Sequence, residues 1–152
     1  MKTIKILFSL TVVALMLAAT GCSPYPEGPD FSLASKEARI AGTWVVNVAT
    51  DSAGQDVTSE YEDWRYTFSE DGTALLSRSE FAAGSTKITL EYEGTWTLSE
   101  DGTIFKVDMS AEVIKDVFVE EKADFLIRRL TQKEFWLTSQ DEDLEKYELV
   151  PF

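Results

Sequence analysis

The chain has no histidine and a single cysteine, and only 14 of its 152 residues are lysine or arginine, against 27 aspartates and glutamates. Without histidine there is no Ser-His or Cys-His nucleophilic pair, no histidine-bound metal and no histidine-ligated haem. One cysteine closes no internal disulfide. The few positive charges are also scattered, since Arg128 and Arg129 are the only adjacent basic residues. Nucleic acid, which demands clustered cations, is therefore not expected as a partner. A formal charge of −13 favours solubility through self-repulsion and leaves a cationic protein partner open. With 44% hydrophobic residues, the chain suits one globular domain around a single core.

What is present is alternation. Ile88, Leu90, Tyr92, Gly94, Trp96 and Leu98 take the even positions, and Lys87, Thr89, Glu91, Glu93, Thr95 and Thr97 the odd ones. This period of two predicts a strand over Thr86–Ser99 with one buried face and one wet face. At about 3.3 Å per residue it spans about 35–40 Å, longer than most strands and suited to a barrel or a large sandwich. Gly94 has no side chain to pack, so it marks a bend or a close backbone approach.

The lone cysteine finds its context at the start. Lys2 and Lys5 precede an apolar run, Ile6 to Met16, that is short for a transmembrane helix. Leu17-Ala18-Ala19-Thr20-Gly21-Cys22 follows and resembles the lipobox of bacterial lipoproteins, with Ala19 where that pattern prefers Leu. The resemblance implies a signal peptide over residues 1–21, lipidation of Cys22 and an acidic mature chain anchored in the cell envelope. Ser23 is compatible with the outer membrane, and the side is left open. Prolines 24, 26 and 29 then favour an extended tether over residues 22–37. Ser32 to Ala41 holds good helix formers, with Ser32 or Ser35 as cap and Leu33 and Ile40 expected to face the domain.

From Gly42 onward strands and turns succeed one another. Strands are predicted over 42–50, 64–68, 73–81, 86–98, 105–109, 125–130, 135–138 and 144–150. Ser-Glu-Asp-Gly-Thr occurs at both 69–73 and 99–103, and Gly72 and Gly102 supply the positive φ that tight hairpins need. Neither turn has the alternating oxygen ligands of an EF-hand, so no metal is expected there. Ser110 to Lys122 is ambiguous, because Val113, Ile114, Val117 and Phe118 fit a helical stripe; a short helix or irregular crossing is expected. An all-β, eight-stranded antiparallel up-and-down barrel with a short N-terminal helical turn accounts for this pattern, since closure removes exposed edges.

A helical turn before Gly42-Thr43-Trp44, the hairpin meander, a second Gly-Thr-Trp at 94–96 and the run Leu130 to Leu137 resemble the lipocalins, and more closely the small lipocalin-like lipoproteins of Bacteroidetes-type bacteria. The likeness covers residues 38–152. It implies that Trp44 sits at the closed barrel end with Arg128 or Arg129 packed across it. It also implies a membrane-anchored module that holds a small apolar or amphipathic ligand.

The inward aromatics either line a pocket or fill the interior. Tyr92, Trp96, Tyr66, Phe68, Phe105 and Phe125 are the candidate ligand contacts, with Gly94 leaving space between the first two. If they fill it, the module acts through its acidic surface on an envelope protein, for example a cationic enzyme that it inhibits. No catalytic residues and no cofactor are expected, because Glu91 and Glu93, the carboxylates of the long strand, lie on its outward parity.

Overall fold

The alternation around Gly94 folds as predicted in the computed structural model, which describes residues 24–28, 32–82, 86–141 and 145–152. Leu90, Tyr92 and Trp96 are buried while Lys87, Thr89, Glu91, Glu93, Thr95 and Thr97 are exposed. The elements in chain order are α1 (Lys36–Ile40), β1 (Gly42–Thr50), a 3-10 turn (Thr58–Tyr61), β2 (Arg65–Phe68), β3 (Thr73–Ala82), β4 (Thr86–Leu98), β5 (Ile104–Ile114), β6 (Val117–Leu130), β7 (Phe135–Ser139) and β8 (Lys146–Pro151). Each strand pairs antiparallel with the next, and β8 returns to β1, so the eight strands close into a barrel.

Gly94 is a point of close approach between strands. A Cβ there would lie 2.0 Å from the Asp108 carbonyl oxygen and 2.6 Å from Met109 Cα, so β4 and β5 meet backbone to backbone. Register shifts occur between Val46 and Val48 against β8, between Glu112 and Ile114 against β6, and between Ile127 and Arg129 against β7. The first interrupts the alternation that starts at Trp44, and Ala49 is buried beyond it.

The barrel has unlike ends. At one, the Ser35 hydroxyl caps α1 by accepting from Ala38 N at 3.0 Å, and the Trp44 indole N–H donates to Ile40 O at 2.7 Å. Ile40 is fully buried, whereas Leu33, expected to face the domain, is 93% exposed. The proline-rich stretch is no free tether where it is described. Tyr25 is fully buried, its hydroxyl donates to Gly102 O, and Glu27 N donates to Arg128 O. Cys22 and the leader lie outside the described residues.

The helix or crossing expected over 110–122 is instead a continuation of β5 and β6. Ala111 pairs with Val119 and Glu112 with Phe118, and Asp116, at a φ of 65°, makes the turn between the strands. The segment's β-branched residues favour this extended pairing, and the apparent helical stripe of Val113, Val117 and Phe118 stands exposed.

Candidate functional site

The closed end is built for packing. Trp44 meets Phe135 edge-on, and Phe68, Phe105 and Phe135 meet one another edge to face at centroid distances of 5.1–6.4 Å. The buried arginine here is Arg39, which donates to Leu130 O at 2.9 Å and stands over the Tyr25 ring. Arg128 and Arg129, the candidates for packing across Trp44, bind the N-terminal stretch. Arg128 pairs with Glu27 at 2.5 Å, and Arg129 donates to Glu27 O and to Glu134 while its guanidinium lies over Trp136. The inserted residue at the β6 register shift is the physical reason that both stay near the surface.

The other end is hollow. A cavity of about 190 Å³ opens between the 3-10 turn, the start of β2, β5, β6 and the β7–β8 connection. Phe68, Phe105, Val107, Met109, Leu137 and Leu149 form its apolar floor and walls. Tyr61, Trp64, Tyr66, Phe125 and Tyr147 surround it higher up, and Glu121, Ser139, Asp141 and Glu145 add polar groups. The rings brace one another, with Tyr61 against Trp64 at 4.9 Å, Tyr61 against Tyr147 at 5.3 Å and Phe125 against Tyr147 at 6.0 Å.

Hydrogen bonds fix the rim. The Tyr61 hydroxyl donates to Glu145 Oε2 at 3.1 Å, and the Tyr147 hydroxyl donates to the same oxygen. Burial raises the pKa of both tyrosines, and the bond to Glu145 raises that of Tyr147 further, so both remain protonated donors. Ser139 Oγ donates to Asp141 at 2.6 Å. Glu121 is held by Arg78 at 3.1 Å, and Arg78 also donates to the Tyr92 hydroxyl at 2.6 Å.

Four of the six sequence candidates meet at the cavity: Tyr66, Phe68, Phe105 and Phe125. Tyr92 and Trp96 point inward but do not line it. Tyr92 is engaged with Arg78, and Trp96 donates its indole N–H to Ser69 O at 2.9 Å, holding the β2–β3 turn. Tyr61 and Asp141 escaped the sequence reading because they sit in connections where no periodicity marks a face, whereas Glu145 fell inside the predicted 144–150 strand on the parity of Tyr147 and Leu149. Tyr147 and Leu149 were open to it, since they share the inward parity of β8. Among the described residues no group of three or more Asp, Glu or Cys is placed to hold a metal ion.

The lipocalin-like domain family matches residues 40–122. No curated protein matches the chain. Among solved structures, a redesigned beta barrel is 16% identical and covers 80% of this chain and 99% of its own, at a TM-score of 0.43.

Proposed function

Because the chain belongs to the family of lipocalin-like domains, we propose that it is a non-catalytic binding module that holds one small amphipathic molecule at the open end of its barrel. The observation that carries this is the cavity, which is apolar at its base and polar at its rim. A benzene ring occupies an engineered cavity of about 150 Å³, so about 190 Å³ takes one ring with a short substituent, and a long acyl chain is too large.

In the same reading the module is a lipoprotein anchored through Cys22 in the cell envelope, in the outer membrane. Three residues from Cys22 to Tyr25 reach at most about 10 Å. With Tyr25 docked at the closed end, that end faces the bilayer and the cavity faces away.

Calorimetric titration of the full chain carrying Cys22→Ser with benzyl alcohol, benzylamine and benzoate tests the binding claim. Ala123 of β6 also lines the cavity, and saturable heat from at least one compound, abolished by Ala123→Phe with the circular dichroism spectrum intact, is the expected result. Silence from all three contradicts it.

A second reading, docking to a cationic envelope protein, draws on the net charge of −13 and on the apolar β5–β6 tip, where Phe118 is 60% exposed. It predicts salt-sensitive binding to lysozyme that Phe118→Ser weakens. Binding to neither lysozyme nor another basic envelope enzyme at low salt would count against it.

A further inference from the structure

The charge around the cavity is one-sided, and from it we infer that the ligand is a small organic cation, a single ring carrying an amine; this rests on the cavity being a ligand site. Among the described residues the lining includes the carboxylates of Glu121, Asp141 and Glu145 and no lysine or arginine. Arg78 is the cation beside it, and its guanidinium is committed to Glu121 and to the Tyr92 hydroxyl. Arg78 cancels Glu121, so Asp141 and Glu145 set the charge of the rim. An anionic head would meet both of these carboxylates and would compete with Glu121 for Arg78.

Glu145 is fixed before any ligand arrives, since two tyrosine hydroxyls donate to its Oε2. A carboxylate already ordered costs little further entropy when an ammonium binds it. The rings beside it add to the attraction, because the faces of Trp and Tyr draw cations. Trp64 already holds one in this way, with the Arg78 guanidinium 4.7 Å from its ring centroid. The ligand's ring then occupies the apolar floor, and its ammonium lies among Tyr61, Tyr147 and Glu145. At long range the net charge of −13 raises the local concentration of such cations.

The test uses the full chain carrying Cys22→Ser and the isosteric series benzylamine, benzyl alcohol and benzoate, titrated by calorimetry at pH 7. Benzylamine is expected to bind about tenfold or more tighter than benzyl alcohol, the scale of a partly desolvated cation–π and ion-pair contact, and benzoate to give no saturable heat. Glu145→Gln keeps an acceptor for both tyrosines and removes the charge. It should bring the amine within about threefold of the alcohol if ion pairing carries most of the preference. Glu148→Gln, the same charge change on the same strand outside the cavity, should leave the preference intact.

Alcohol binding as tightly as amine, or a preference that survives Glu145→Gln, overturns the cation and leaves the cavity's binding role standing. Silence from all three compounds overturns both.

Discussion

Tyr25 lies among prolines in a stretch whose composition forbids regular pairing, yet its ring is 1% exposed and its hydroxyl reaches Gly102 O. The surrounding residues have no period, so nothing local marks it as core; its burial depends on the barrel end it meets. Truncation to Ala removes an aromatic packed among Ile40, Arg39 and the 99–103 turn. Chemical denaturation should show a loss of about 3 kcal/mol for Tyr25→Ala, the range for deleting a buried ring. Gly94 is the opposite case, foreseen from its place inside a strand. Gly94→Ala would push a methyl group into the Asp108 carbonyl oxygen, with no flexible side chain to yield. Its denaturation midpoint should fall by the equivalent of about 3 kcal/mol or more, at the upper end of overpacking costs. Tyr92 and Trp96 mark the limit of parity as a guide: it tells inside from outside but not depth along the barrel. Their hydrogen bonds to Arg78 and to the Ser69 carbonyl decide their roles.

Among the elements, the twin turns were legible because the five-residue motif carries its own hydrogen bonds. Asp71 accepts from Thr73 N at 2.9 Å, and Asp101 accepts from Thr103 N at 3.0 Å. Asp101 also accepts from the Ser99 hydroxyl, which is the largest cause holding its carboxyl down at about 2. An unfolded aspartate titrates near about 3.9, so this depressed value contributes stability that is complete above that pH and is lost as pH falls toward about 2. Asp71 is lowered by the same kind of bonds, those from Thr73, and acts in the same direction. Urea midpoints measured between pH 5 and pH 2 should decline, and Asp101→Asn should show a shallower decline. The β5–β6 hairpin was not legible. Four apolar residues at helical spacing imitate an amphipathic face, and only strand pairing, with β-branched side chains left exposed at the tip, separates the two readings.

At the scale of the molecule the strand count followed from periodicity and the barrel was expected from it, while the difference between the two ends was not. Closure is a property of the pattern, since eight alternating segments joined by tight turns have few other ways to bury one face. The hollow depends on which rings reach the axis, and on connections such as Thr58–Tyr61 and the β7–β8 turn that bring Tyr61, Asp141 and Glu145 to the rim. One end packed with Trp44, Tyr25 and Phe135 and the other lined by partly open aromatics is the arrangement of a container rather than a solid plug.

Native mass spectrometry of the chain, produced in its host, purified undenatured and sprayed from volatile buffer, tests that claim most directly. The account predicts a reproducible extra mass the size of a one-ring amine, released on denaturation and absent from Ala123→Phe. A bare mass from every native preparation, unchanged by added millimolar benzylamine, would contradict it.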